Sequence, residues 1–379
     1  MDVFKQYVKK KTILKYSHKI ILLTSEFPPI YGGISSHAHN LYKAISSESS
    51  DVVIIAPGNK SGFDRKMIFK GDEALFYNDK SYLKLFTILN HLFKLLIKNP
   101  KSVVIASGQF PVIIFGIFFN YFCIKSVAIL HGHEAMMGSF MRKKLFEKSI
   151  KSYSRIIAVS SFSKQNIKRY ISSLNISVIN NGIDLNRFKS FPRKKVKKDN
   201  PRMLTIGSLT ERKGQKNVIN ALPKLIKRFD DVCYQMVGAP VLSNEITLLA
   251  KSYGVIEKIK IHSTLPDKLM VDIIYDSNIF IMLSNNLVSG DVEGFGIAIL
   301  EANYFGLPAI GSKNCGIEDA ICDKITGRLV DPKSSYEILM AVEDIMNNYD
   351  QYSQEAKKWA ISHDWKIKSK SYKKIISEL

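Results

Sequence analysis

The chain has 379 residues, 46% of them hydrophobic, and this composition excludes an intrinsically disordered protein. One hydrophobic core rarely organises so long a chain, so we expect two domains of roughly 180 residues each. The net charge of +21 is concentrated in residues 1–190, which carry 28 Lys and Arg against 11 Asp and Glu, whereas residues 191–379 carry 27 against 23. This asymmetry predicts an anionic partner for the first half, either nucleic acid or an anionic membrane surface.

The cysteines and the N-terminal segment argue against two further classes of protein. The four cysteines are scattered, with no CxxC pair and no histidine at zinc spacing, which favours free thiols in a reducing compartment. The chain begins MDVFKQYVKKKTILKY, which is polar and basic with no apolar core after it. We therefore expect no secretory signal and a cytoplasmic location.

In the first half, short apolar runs rich in β-branched residues alternate with helical patterns. The predicted strands are 20–23, 52–55, 103–106, 127–130, 156–159 and 177–179. The predicted helices are 35–46, 82–98, 141–152 and 163–171. Continuous apolar strands separated by helices predict a parallel sheet that is covered on both faces.

The predicted helix 82–98 carries one narrow polar stripe, and the rest of its circumference is Leu, Phe and Ile. The stripe consists of Lys84, Thr87, His91, Lys94 and Lys98. A helix that lies on a membrane surface explains both faces, and so does a core helix with one solvated stripe. The apolar run 111–130 contains polar interruptions, so we interpret it as a core helix, a short turn and a buried strand rather than a transmembrane span.

The alternation of strands and helices stops at residues 187–200 and then restarts. Because this segment combines a proline with a dense basic run, we interpret it as an interdomain linker. The later strands are predicted at 203–206, 234–237, 259–261, 279–282 and 309–310, and the helices at 215–229, 243–252, 268–275, 297–305 and 335–347. The predicted fold class is therefore α/β, with two Rossmann-like doubly wound domains, 1–186 and 201–350, that face each other across a cleft. Residues 351–379 are expected to be helical, and crossing back to the first domain is one path open to them.

Residues 293–301, EGFGIAILE, hold two glutamates eight positions apart across a glycine-flanked turn that opens into an apolar helix. Unpaired N–H groups and partial positive charge at a helix start favour a bound anion. Glu293 could then reach a polyol on one side of that anion, and Glu301 could reach one on the other. A sugar nucleotide presents this order of groups. An ordinary helix with two exposed glutamates would show the same spacing.

Seven motifs, in the expected order, resemble those of a family 4 glycosyltransferase, which is a retaining enzyme of the GT-B type. They are SEFPPIYGGISSH at 25–37, HGHE at 131–134, VSSFSK at 159–164, INNGID at 179–184, GSLTERKG at 207–214, EGFGIAILE at 293–301 and GLPAIG at 306–311. The resemblance covers about residues 18–345. It implies transfer of a hexose-type sugar from a nucleotide diphosphate sugar to a hydroxyl of a lipid-linked glycan, in surface polysaccharide or glycolipid biosynthesis.

The resemblance also implies roles for residues in the first half of the chain and in the GSLTERKG motif. Gly32 and Gly33 would lie over the donor diphosphate. His131 would position the transferred sugar, and a share of that role for His133 stays open. Lys213 would neutralise the leaving diphosphate. Many members carry an arginine where this chain has Ser208, and Arg212 is the candidate to replace it.

In EGFGIAILE the resemblance implies three kinds of contact with the donor. Glu293 would contact the transferred sugar near the bond that breaks. Glu301 would accept hydrogen bonds from ribose hydroxyls. The diphosphate would be held by the N–H groups of Gly294, Phe295, Gly296 and Ile297.

The chain contains no Asp-x-Asp motif and no GxxxxGK[ST] loop. We therefore expect a metal-independent enzyme without a cofactor, whose co-substrate is a UDP- or GDP-sugar. The acceptor would be a lipid-linked glycan or an oligosaccharide, and the enzyme would lie peripherally on the anionic inner face of the plasma membrane. Nucleic acid is not the expected partner, because no basic platform interleaved with aromatic residues is present. The alternatives are a sugar-nucleotide epimerase of the same fold and a basic nucleic-acid-binding protein.

Overall fold

The computed structural model describes residues 19–30, 32–46, 51–58, 74–78, 83–132, 134, 140–191 and 200–379. The described residues fall into two compact units. The first unit takes its residues from Met1–Ile129, Lys148–Arg155 and Ser369–Leu379, and the second from Leu130–Glu147 and Ile156–Lys368. Most of the predicted linker, residues 192–199, lies outside the described residues, and the predicted domain limits remain predictions.

The strands of the first half form one parallel sheet. They are β1 (Ile20–Thr24), β2 (Val52–Pro57), β3 (Ala74–Tyr77), β4 (Val103–Ser107), β5 (Ser126–Leu130), β6 (Arg155–Ala158) and β7 (Ile176–Val178). Their order across the sheet is β3-β2-β1-β4-β5-β6-β7. Central strands such as β1 and β4 are buried at every position, as expected for a sheet covered on both faces.

The helices of the first half connect these strands. They are α1 (Gly33–Ser46), α2 (Lys84–Lys98), α3 (Gln109–Tyr121), α4 (Phe140–Ile150) and α5 (Ser161–Tyr170). Helix α3 and strand β5 confirm the interpretation of the apolar run 111–130 as a helix, a turn and a buried strand. In the part of the chain that the structure describes, no helix has both the length and the apolar content to cross a membrane.

The second half builds another parallel sheet, in the order β10-β9-β8-β11-β12-β13. Its strands are β8 (Arg202–Ile206), β9 (Cys233–Val237), β10 (Ile259–His262), β11 (Ile279–Met282), β12 (Ala309–Ser312) and β13 (Gly327–Val330). Its helices are α6 (Gln215–Arg228), α7 (Ser243–Ser252), α8 (Asp267–Tyr275), α9 (Ile297–Tyr304) and α10 (Ser335–Asn347). In both sheets the first strand of the half lies centrally and the chain winds outward on either side, which confirms the Rossmann-like, doubly wound fold class.

The C-terminal segment forms two helices, α11 (Tyr349–Ser362) and α12 (Trp365–Ser377). The last eleven residues, Ser369–Leu379, belong to the first unit. There the Tyr372 hydroxyl lies 2.8 Å from Nε2 of His37 in helix α1, and both side chains are buried. This contact attaches the end of the chain to the N-terminal sheet unit.

Candidate active site

A buried glutamate and two cations form the centre of the candidate site. Glu293 lies in the loop between β11 and α9 and is 8% exposed. Lys213 Nζ donates to Glu293 Oε2 at 2.6 Å, and Arg212 Nη1 donates to the same oxygen. Both cations come from the 3₁₀ turn Glu211–Lys213, which directly follows β8. The structure thus brings together three residues that were predicted to share a site from motifs eighty positions apart.

The charges of this cluster control the ionisation of Glu293. Burial alone would raise the pKa of the Glu293 carboxyl, but Lys213 and Arg212 outweigh burial and lower that pKa to about 2. Arg212 also donates through Nε to Asp291, 3.2 Å away. Both cations share the buried Glu293 carboxylate, while the second acid of the cluster, Asp291, is 56% exposed to solvent. An anionic ligand would find complementary charge at this position.

Gly207, the first glycine of the GSLTERKG motif, leaves room for the side chain of Lys213. Gly207 has a φ of +148°, and a Cβ at this position would lie 3.2 Å from Cε of Lys213. The side chain of Lys213 therefore passes directly over the end of β8. Ser208, which stands where many members of the resembling family carry arginine, is exposed. Because Arg212 converges with Lys213 on Glu293, a second cation is present in the cluster without an arginine at 208.

The turn before α9 contains two glycines, and any other residue at either position would force the backbone or neighbouring atoms to move. A Cβ on Gly294 would lie 2.0 Å from the backbone oxygen of His131, and Gly296 begins the helix in the left-handed region with a φ of +88°. Phe295 between them is buried. Within the described residues, no hydrogen bond is recorded from the N–H groups of Gly294, Phe295 and Gly296. These donors, with that of Ile297 at the helix start, form the kind of cradle that binds a phosphate.

His131 is held beside this turn by a glutamate that the sequence analysis did not single out. The N–H groups of His131 and Gly132 donate to the two carboxylate oxygens of Glu134, each at 2.8 Å. Glu134 is fully buried and His131 is 7% exposed. Gly132 has a φ of +114°, which lets the chain turn sharply after β5. His133 lies outside the described residues.

Glu301 lies inside α9, about one helical turn after its start, and pairs with a different cation, Arg187. Arg187 Nη1 donates to Glu301 Oε1 at 2.8 Å. The other edge of the same guanidinium donates to Asp267, from Nε at 2.8 Å and from Nη2 at 2.5 Å. Burial raises the pKa of Glu301, and Arg187 opposes this rise without cancelling it. Arg187 had been assigned to the start of the linker, and nothing in its local sequence indicated this contact.

Gly32 and Gly33 belong to the first unit, at the start of α1. A Cβ on Gly32 would lie 2.9 Å from a carboxylate oxygen of Glu26, whereas a Cβ on Gly33 would meet nothing within 4 Å. That oxygen is the end of a flexible side chain that can shift, so packing alone requires glycine at neither position, and the surroundings of Gly33 leave open space. Tyr31, which precedes them in the motif, lies outside the described residues.

The described residues contain no group of three or more His, Cys, Asp and Glu side chains that could hold a metal ion. All four cysteines are free.

Both halves of the chain match models of known protein families. Residues 31–187 match the model of Glycosyltransferase Family 4, and residues 186–360 match the model of Glycosyl transferases group 1. The GDP-mannose-dependent alpha-(1-6)-phosphatidylinositol monomannoside mannosyltransferase of Mycolicibacterium smegmatis is 24% identical over 343 residues, which cover 86% of this chain and 89% of that protein. The amylovoran biosynthesis glycosyltransferase AmsK of Erwinia amylovora is 24% identical over 226 residues, which cover 58% of this chain and 54% of that protein.

Solved structures share the fold along nearly the whole chain. Anabaena Alr3699/HepE in complex with UDP and glucose superposes with a TM-score of 0.74 at 17% identity, covering 96% of this chain and 100% of that one. A glycosyltransferase from Rickettsia africae ESF-5 gives a TM-score of 0.76 at 19% identity, covering 96% and 99%.

Proposed function

The chain belongs to the glycosyltransferases of family 4 and group 1, and from this membership we propose that it moves a hexose-type sugar from a UDP- or GDP-sugar to a hydroxyl of a lipid-linked glycan. The observation that carries the proposal is the convergence of Arg212 and Lys213 on buried Glu293, beside the glycine turn that starts α9. Cations and N–H donors can stabilise a diphosphate, and a carboxylate can accept hydrogen bonds from its sugar.

The reaction breaks the bond between the anomeric carbon and the diphosphate oxygen and forms a bond from that carbon to the acceptor oxygen. Negative charge develops on the departing diphosphate, where Lys213, Arg212 and the N–H groups at the start of α9 would stabilise it. The acceptor proton would pass to the departing phosphate oxygen, and attack on the same face would retain the anomeric configuration. In this proposal charge stabilisation comes from the protein, so we expect transfer without a metal ion.

The proposed acceptor follows from the relatives. The Mycolicibacterium relative is named for transfer to a phosphatidylinositol mannoside, and the Erwinia relative for the biosynthesis of a polysaccharide. Both names support an acceptor that is a glycan on a lipid or a growing polysaccharide. They also favour GDP-mannose as the first donor to test, whereas the UDP complex of the Anabaena protein keeps UDP-sugars in the screen.

Helix α2 supports the proposed location on an anionic membrane surface. Its residues Ile88, Leu92 and Leu95 are buried within the first unit, yet Phe86 is 71% exposed and Ile97 is 80% exposed. Two lysines of the predicted stripe, Lys94 and Lys98, are exposed on the same helix. Exposed aromatic and aliphatic side chains beside lysines suit the interface of an anionic bilayer, where each lysine contributes about 1 kcal/mol.

Activity assays test the transfer reaction directly. We expect Lys213→Ala and Glu293→Gln to lower kcat/KM by about a hundredfold or more, because each removes a group that stabilises the leaving diphosphate or contacts the sugar. Lys216→Ala is the matched control, since Lys216 Nζ pairs with Glu211 and Glu245 at the surface instead. Wild-type rates in both site variants would end this assignment. A converted sugar nucleotide in the absence of acceptor would favour the epimerase.

Co-sedimentation with vesicles tests the location. The wild type should bind vesicles that contain phosphatidylglycerol and not vesicles of phosphatidylcholine alone. Phe86→Ser/Ile97→Ser should weaken this binding, whereas Val241→Ser/Leu248→Ser, which removes two exposed apolar residues of the second unit, should not. Equal binding by both double variants would contradict docking through α2, and tight binding to duplex DNA would favour the nucleic-acid alternative.

A further inference from the structure

Arg187 connects two acidic residues that lie on different helices of the second unit. It ends the 3₁₀ turn Leu185–Arg187, while Asp267 is the first residue of α8 and Glu301 lies within α9. The guanidinium donates to Asp267 from Nε and Nη2 and to Glu301 from Nη1. Three donors of one planar group are thus used in fixed directions.

The bidentate contact with Asp267 fixes the orientation of the guanidinium as well as its position. A planar fork bound along one edge cannot rotate, so Nη1 on the other edge has one direction in which to donate. Glu301 Oε1 lies in that direction, 2.8 Å away. A lysine at 187 would supply the charge but could not hold both carboxylates in this geometry.

Because Glu301 is largely buried, its contact with Arg187 affects whether its carboxyl is ionised and can accept hydrogen bonds from a ligand. Its side chain is 15% exposed, and burial raises the pKa of its carboxyl. Asp267, the other acid of the cluster, raises that pKa further, and Arg187 lowers it. Arg187 therefore favours the ionised carboxylate, which accepts hydrogen bonds at both oxygens. Arg187 occupies Oε1, and no hydrogen bond to Oε2 is recorded among the described residues.

We propose that Arg187 is a positioning residue, which holds Glu301 for the ribose of the donor and thereby sets a preference for ribonucleotide over 2′-deoxyribonucleotide diphosphates. The inference depends on the proposed function, in which Glu301 accepts hydrogen bonds from ribose hydroxyls. A tie that merely fastened α9 to α8 would stabilise the fold but would not distinguish these two classes of ligand.

Binding measurements with the full-length protein separate these two roles. The probes are GDP, UDP and their 2′-deoxy analogues, titrated calorimetrically against the wild type, Arg187→Met and Arg202→Met. Arg202 is the matched control because its Nη1 pairs with Asp276 Oδ1, 3.3 Å away, in the same unit. We expect the wild type to bind the ribonucleotide about tenfold more tightly than its deoxy analogue, because a hydroxyl that meets an oriented carboxylate gains a charge-assisted hydrogen bond.

In Arg187→Met the affinity ratio of ribonucleotide to deoxy analogue should fall most of the way to one, because the ribonucleotide binds more weakly. Arg202→Met should keep the wild-type ratio. Arg187→Lys should fall between Met and wild type, because it restores charge without the fork. In steady-state assays the donor KM of Arg187→Met should rise while kcat stays within about twofold, because contacts with the diphosphate and sugar remain.

Two results would overturn the inference. If folded Arg187→Met keeps the wild-type ratio, even while it binds both forms more weakly, the role of Arg187 is structural and it does not position Glu301 for ribose. If the wild type binds none of the four nucleotides, the proposed function fails too. Should Arg187→Met not fold, Asp267→Asn removes the orienting contact and keeps the arginine, and the same lowered ratio is expected.

Discussion

Glu293 and Glu301 belong to one nine-residue motif and have similarly buried side chains, 11% and 15% exposed, yet their carboxyl pKa values move in opposite directions. Burial raises both. At Glu293 two cations outweigh it and bring the pKa to about 2, whereas at Glu301 a single arginine, shared with Asp267, does not. The balance of neighbouring charges therefore decides what each carboxylate can do. Glu293 is a permanent anion that orders two cations, while Glu301 depends on one partner to stay ionised.

The strongest test of this comparison removes both cations from Glu293. In Arg212→Ala/Lys213→Ala the carboxylate stays buried without a described cation, and we expect the free energy of unfolding to fall by about 3–5 kcal/mol at pH 8. Adding Glu293→Gln should recover much of this loss, because a neutral amide tolerates burial better than an unpaired charge. Urea unfolding of the double and triple variants measures both effects. Equal stability of the double and triple variants would show that the unpaired carboxylate of Glu293 does not cause the loss.

The pH dependence of stability should differ in sign between the two glutamates. Because the pKa of Glu293 in the folded protein is about 2, below its ordinary value of 4.5, its ionised form contributes stability above pH 4.5, and that contribution is lost as pH falls from 4.5 to 2. It amounts to about 3 kcal/mol. Glu301 has a raised pKa, so its burial costs stability at high pH and the cost disappears as pH falls through that pKa.

Urea unfolding of Glu293→Gln and Glu301→Gln between pH 3 and pH 8 measures this difference. Glu293→Gln should flatten the acid limb of the stability profile. Glu301→Gln should instead remove a penalty at neutral pH. Parallel profiles for the two variants would contradict the contrast between the two sites.

The turn that separates the two glutamates is sensitive to a single methyl group. Gly294→Ala would place Cβ 2.0 Å from the backbone oxygen of His131, so the turn or the His131 loop must move. We expect a loss of about 1–3 kcal/mol in unfolding free energy. Gly33→Ala, where a Cβ meets nothing within 4 Å, is the matched control for stability. Comparable melting temperatures for the two variants would mean that the close approach is not required.

Much of this architecture could be predicted from the sequence, because apolar runs and helical periodicity report local burial. Strands β3 and β13 were missed, since they are short and half-exposed in their middle positions. The final segment was expected to be helical but forms two helices, separated at His363–Asp364. These errors lie at sheet edges and helix ends, where the hydrophobic pattern is weakest.

The candidate site shows a different limit of sequence reasoning. Motif order brought Lys213 and Glu293 together, but it gave no indication that Glu134 would hold His131 or that Arg187 would reach Glu301. Arg187 and Glu301 are 114 positions apart, and a basic residue next to a basic run looks like part of a linker. Partners of this kind are set by tertiary packing, so only the three-dimensional arrangement identifies them.

The smallest expected effect concerns the outer acid of the Glu293 cluster. Asp291 bonds Arg212 but is 56% exposed, so water screens the pair and competes with it. Asp291→Asn should therefore change the free energy of unfolding by no more than about 0.5 kcal/mol. It should also leave the pKa of Glu293 low, because Lys213 and the remaining contact of Arg212 persist. Urea unfolding and carboxyl titration by NMR measure the two quantities. A large loss of stability in this variant would mean that Arg212 needs Asp291 in order to reach Glu293, and the cluster would then be a four-residue network rather than two cations on one carboxylate.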